Sequence, residues 1–162
     1  MHAAITEPSA GPVTDRVVAF ITGYDPSGAP PGTDRHTARA IANWLACTVG
    51  GCRDDSVTRL RGVMAATAGD GPAGVIGADR RCDMASAAFI NGFASNVLDF
   101  DDMHVPTLIH PTGTVVAAAL AVAEARRATG RALLDAVTVG MAYHGARRRD
   151  RRGGDGLPAT GP

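Results

Sequence analysis

The segment of residues 84–100 reads MASAAFINGFASNVLDF. Its apolar residues recur every three or four positions, which is the spacing of one face of an α-helix. The residues that share this face are Ala87, Ile90, Ala94, Val97 and Leu98. The stretch therefore predicts a helix whose apolar side must pack against a partner.

The same periodicity recurs on both sides of this helix. Glycine- and proline-rich segments separate the periodic stretches, and the short Val75-Ile76 segment is a strand-like connector. We find no internal repeat and no alternating strand pattern, so the sequence predicts an all-α bundle or helical array. The further predicted helices run from Thr14 to Tyr24, from about Thr33 to Gly51, from about Asp54 to Met64, from Pro111 to about Thr129, and from Arg131 to Met141.

Composition limits the classes of function. The chain has 162 residues, the size of one domain, and is 45% hydrophobic and 20% charged. Its 16 basic and 16 acidic residues balance, whereas a nucleic-acid binder normally carries a basic excess. No apolar run is long enough for a membrane span, and no secretory leader is visible. Three sparse cysteines do not indicate a disulfide framework, so we expect a cytoplasmic protein without nucleic-acid or membrane partners.

The two ends differ from the helical part. Residues 1–13 are a loose lead-in, and residues 142–162 are a tail rich in arginine and glycine. The apolar stripe of the last helix stops abruptly near Ala142. Two interpretations stay open: a disordered basic tail, or a tail in which the native reading frame was lost.

Carboxylates and imidazoles concentrate in one segment. LDFDDMH, residues 98–104, is followed by His110-Pro111. Acids at the end of a helix cost stability, on the order of 0.3–1 kcal/mol each, because the helix dipole is negative there. Acid and imidazole groups at a junction between helices suit proton transfer at neutral pH. The helix that begins at Pro111 also offers free amides to a carboxylate or phosphate.

Two other interpretations of this segment remain. The acids are typical of solvated capping loops, and aspartate with histidine can also bind a divalent metal ion.

AAFING (residues 87–92), LDFDDMH and His110-Pro111 together resemble the MmgE/PrpD family, which includes 2-methylcitrate dehydratase and cis-aconitate decarboxylase. The resemblance covers roughly residues 14–141. It implies a cofactor-free lyase or isomerase that acts on small di- or tricarboxylic acids. It also implies a large helical domain, a smaller α+β lid domain, an active site between them, and a homodimer.

Carried over residue by residue, the resemblance implies that Asp99 and His110 are catalytic. It places His104 at a substrate carboxylate and puts Asp102 and Met103 beside the substrate. The family often has threonine where this chain has Met103, so one hydroxyl contact to substrate is in question. No metal ligand and no cofactor are implied.

Members of the family are much longer than 162 residues. From the sequence we therefore expect an incomplete N-terminal helical domain without its lid, and a chain that alone is poorly active. The alternatives are a non-catalytic helical fragment or pseudoenzyme, and a helical protein that binds a divalent metal ion.

Overall fold

The computed structural model describes residues 12–105 and 108–153. Over these residues the chain forms six helices and one two-stranded antiparallel sheet, so the predicted, mainly helical fold is confirmed. A short 3-10 turn at Pro26–Gly28 precedes the second helix. The elements are α1 Val13–Gly23, α2 Thr33–Gly51, α3 Asp55–Met64, β1 Ala73–Gly74, β2 Arg81–Cys82, α4 Met84–Asn96, α5 Pro111–Arg126 and α6 Gly130–Gly153.

Short polar residues fix where several helices begin. Asp54 accepts a hydrogen bond from the Ser56 amide at the start of α3, and Asp83 accepts one from the Ser86 amide at the start of α4. Each bond satisfies an amide that has no acceptor within the helix. Helix α5 begins with Pro111 at its first position, where the missing N–H costs nothing.

The helices pack around α4, which lies against α2 on one side and α5 on the other, while α5 also packs against α6. The last residue of α2, Gly51, allows the close approach to α4. A Cβ there would lie 2.6 Å from Val97 Cγ2 and closer still to the backbone oxygen of Ala94. The ends of α2, α4 and α5 are thereby brought close together.

The buried apolar side chains form two clusters. One joins α4 and α5 to the small sheet, and its buried members are Ala73, Val75, Cys82, Ala87, Ile90 and Ala121. The other lies between α2, α5 and α6, with Trp44, Val116, Ala117 and Val137 buried. Most of these side chains are small, so neighbouring helix backbones can approach closely.

The two-stranded sheet refines the expected strand-like connector. Ala73 pairs with Cys82 and Gly74 pairs with Arg81. Strand β1 thus directly precedes the Val75-Ile76 segment that the sequence indicated. Asn91 of α4 holds this region in place, because its amide donates to the Gly74 carbonyl at 2.9 Å and its Oδ1 accepts from the Ile76 amide at 2.9 Å.

Helix α6 extends past the expected break near Ala142. Its backbone is helical through Gly153, inside the tail that the sequence predicts to be either disordered or out of frame, and residues 154–162 lie outside the described residues. Alanine and arginine are good helix formers, so the loss of an apolar stripe does not by itself end a helix. Among the described residues, no helix combines the length and apolarity needed to cross a bilayer.

Candidate active site

The acidic segment forms the connector between α4 and α5. Helix α4 ends at Asn96, before the acids, so these lie in the connector rather than within the helix. His110 is the N-cap residue of α5 and makes no side-chain capping bond. Because α4 and α5 pack side by side, the connector lies across one end of the pair and brings its acids towards His110.

Asp99 makes the turn that follows α4. Its backbone adopts a left-handed conformation with φ 54°, and its amide donates to the Asn96 carbonyl at 3.0 Å. Aspartate tolerates this conformation better than most residues, although a non-glycine residue there is still strained. The Asp99 side chain is exposed, so its carboxylate is accessible to a ligand.

Asp101, by contrast, is buried. Its side chain is 1% exposed, and the Asn96 amide lies 3.3 Å from one carboxylate oxygen and 3.4 Å from the other. Oδ1 also lies 3.3 Å from Nδ1 of His110. A buried carboxylate needs such partners, because removing its charge from water is costly.

The His110 ring has one buried edge and one accessible edge. Nδ1 is buried and faces Asp101 at ion-pair distance, but the ring is not aligned for an N–H···O hydrogen bond. The side chain as a whole is 34% exposed. The exposed part of the side chain is therefore the part that lies away from Nδ1.

Three side chains of the connector converge. One donor atom from each of Asp99, Asp101 and His110 lies within 4.8 Å of the others, and such a trio could also hold a divalent cation. The sequence placed Asp99 and His110 in one site but did not single out Asp101. Three acids in four positions carry no local signal that tells which one will be buried.

The remaining predicted site residues lie around this trio. Asp102 is half-buried, and its Oδ1 is buried without a hydrogen-bond partner. Met103 is 50% exposed. His104 is exposed, and its backbone amide donates to the Ile109 carbonyl at 2.9 Å, which closes the connector into a loop.

Helix α2 forms the wall behind the connector. The Asn43 side-chain amide donates a hydrogen bond to the Phe100 carbonyl at 3.4 Å. Burial raises the pKa of the Cys47 thiol, and the nearby charges of Asp101 and Asp102 raise it further. A thiol whose pKa is raised is a poor nucleophile, so Cys47 is a packing residue here.

Several buried polar atoms without hydrogen-bond partners lie on the elements that form the site. In the described part of the chain they belong to α2, to the connector and to the first turn of α5. Such atoms usually mark a site for water or a polar ligand. They are Asn43 Oδ1, Trp44 Nε1, Asp102 Oδ1, His110 Nδ1 and Thr112 Oγ1.

Comparison with known families matches the same region. The model described as the MmgE/PrpD N-terminal domain matches residues 15–146, which include the whole connector and the helices that hold it. No curated protein sequence gives a significant match to the chain.

Proposed function

The chain belongs to the MmgE/PrpD family through its N-terminal domain, and from this membership we propose that the α4–α5 connector supplies the proton-transfer groups of a lyase. The proposed substrates are small di- or tricarboxylic acids, as in 2-methylcitrate dehydratase or cis-aconitate decarboxylase. The observation that carries the proposal is the convergence of Asp99, Asp101 and His110 within 4.8 Å.

Dehydration needs one group that accepts a proton and one that donates it. A base removes the proton from the carbon next to a substrate carboxylate, and that electron pair forms the new C=C bond. Hydroxide leaves from the neighbouring carbon and departs as water after taking a proton from the acid. We assign these proton transfers to Asp99 and His110, whose accessible edges lie at the connector surface.

A decarboxylation would use the same groups differently. The C–C bond to the carboxylate breaks, CO2 departs, and the electron pair left on carbon is protonated by the acid. The connector supplies a proton donor for this step as well, so the choice of reaction depends on how the substrate is held.

We propose that the neighbouring residues hold the substrate. His104 donates a hydrogen bond to a substrate carboxylate, while Asp102 and Met103 lie beside it. The positive end of α5, at Pro111, favours a second carboxylate. A tricarboxylate next to three aspartates needs more positive charge than this, and we assign that charge to another domain of the family architecture.

The site is open to water on one side. Phe100 is 75% exposed, and Val105 and Leu108 are each 66% exposed. Exclusion of water strengthens the electrostatic interactions of a site. We therefore propose that closure of the family's lid domain over the connector raises turnover. A homodimer and a cytoplasmic location belong to the same proposal.

The experiment is an assay of the purified chain for dehydration of 2-methylcitrate and for release of CO2 from cis-aconitate. We expect slow turnover of one substrate above a blank without protein, unchanged by EDTA. The absence of any turnover would favour the non-catalytic alternative. Turnover that EDTA abolishes and Zn²⁺ restores would favour a divalent cation at the converging trio instead.

A further inference from the structure

We propose that Asp101 is the positioning residue of His110: it accepts the Nδ1 proton and leaves Nε2 as the basic lone pair on the accessible edge of the ring. The importance of this lone pair for turnover rests on the proposed function. The protonation pattern of the ring does not, and it can be measured without any substrate.

Burial gives the two nearest carboxylates different roles. The Asp101 side chain is 1% exposed, whereas Asp99 is exposed on the connector surface. A carboxylate that is almost wholly buried cannot contact a substrate from solvent. Asp101 therefore acts through another residue, and His110 is the imidazole within ion-pair distance, 3.3 Å away.

The surroundings of Asp101 hold its carboxylate in place. The Asn96 amide lies 3.3 and 3.4 Å from its two oxygens. Gly113 in the first turn of α5 packs over Oδ2, where an added Cβ would lie 3.7 Å away. The carboxylate is thus fixed between the last turn of α4 and the first turn of α5.

Electrostatics then select one form of the neutral ring. With its proton on Nε2, the ring would turn the Nδ1 lone pair towards a carboxylate oxygen 3.3 Å away, and the two would repel. With its proton on Nδ1, the ring donates to that oxygen after a small rotation. A carboxylate partner of this kind sets the tautomer and the orientation of an imidazole in other sites.

The first test is ¹⁵N NMR of the histidine rings in the full 162-residue chain, at a pH where His110 is neutral. We expect His110 to carry its proton on Nδ1 in the wild type. In Asp101→Asn the side-chain amide can donate to Nδ1, so the population with the proton on Nε2 should rise several-fold. Asp99→Asn is the matched control: it removes one charge from an exposed carboxylate and should leave the tautomer unchanged.

The second test is steady-state kinetics of the same variants. Asp101→Asn should lower kcat by about 100-fold or more and change KM by less than about threefold, because the buried carboxylate does not bind substrate. Asn96→Ala keeps the carboxylate but removes its amide partner, and should lower kcat by about tenfold. If Asp101→Asn does not fold, Asn96→Ala takes its place as the variant that tests the positioning role.

The outcomes separate this proposal from the proposed function. A proton on Nε2 in the wild type would overturn the positioning role, as would a tautomer that is the same in Asp101→Asn as in the wild type. If the wild type turns over neither substrate, the proposed lyase fails, while the NMR result still decides whether Asp101 sets the state of His110.

Discussion

His110 and Asp99 are the two residues on which proposed turnover depends most directly, because both present an accessible polar edge at the connector. Asp99→Asn and His110→Ala should each lower kcat by at least about 100-fold, the usual contribution of one placed general acid or base. His36→Ala is the control, because His36 is exposed on α2 and lies outside the converging trio. Steady-state kinetics with 2-methylcitrate measures all three, and a kcat for both site variants equal to the control's would remove these residues from the mechanism.

Single residues also show where prediction from sequence stops. The pattern of acids and histidines indicates a site in this segment, and the family resemblance selects Asp99 and His110 within it, whose side chains converge in the structure. Which acid is buried depends on the packing of α4 against α5 and on the Asn96 amide. These are contacts between elements, and the order of residues within LDFDDMH does not contain them.

Among the elements, α2 and α3 offer a matched pair of glycines. Gly51 lies against α4 with no room for a Cβ, whereas nothing lies within 4 Å of a Cβ added at Gly62 in α3. Gly51→Ala should destabilise the protein by about 1–3 kcal/mol through overpacking. Gly62→Ala should stabilise it by about 0.5–1 kcal/mol through helix propensity. Urea unfolding followed by circular dichroism measures both, and equal effects would contradict the described contact between α2 and α4.

The start of α4 should make stability depend on pH. Hydrogen bonds from Ser86 hold the pKa of the Asp83 carboxyl below its usual value of 3.8. A lowered folded pKa means that this stabilisation is complete above the unfolded pKa and is lost as the pH falls through the folded one. Asp83→Ala should therefore lower Tm by a few degrees near pH 7, and the difference from wild type should shrink below about pH 4.

Thermal unfolding at several pH values measures this difference, with the exposed Asp79→Ala as control. A gap between wild type and Asp83→Ala that stays constant down to about pH 2 would show that the Asp83 charge does not contribute to the cap.

The helices were predictable from periodicity, and the exceptions have physical causes. The sequence indicates a strand-like connector at Val75-Ile76 but not the pairing of β1 with β2, because two-residue strands are too short to show alternation. The position of the sheet depends on the Asn91 side chain, a contact that arises only in the folded chain. Helix α6 is longer than its apolar stripe predicts, because alanine and arginine continue a helix without one.

At the scale of the whole molecule, two apolar clusters hold the helices, and the connector with its acids lies at one end of α4 and α5. Among the described residues, Asp102, His110 and Thr112 at that end each carry a buried polar atom without a hydrogen-bond partner. Natural structures concentrate such costly groups at functional sites. The two apolar clusters therefore hold the helices around one region in which buried polar atoms lack hydrogen-bond partners.

The proposed function requires the connector to remove a proton from the carbon next to a substrate carboxylate. Loss of the C–H signal of 2-methylcitrate in D2O, followed by ¹H NMR, tests it most directly, because proton exchange and dehydration both remove this signal. We predict that the wild-type chain accelerates the loss over a blank, and that the Asp99→Asn/His110→Ala double variant returns it to the blank rate. Equal rates for the wild type and the double variant would contradict the claim.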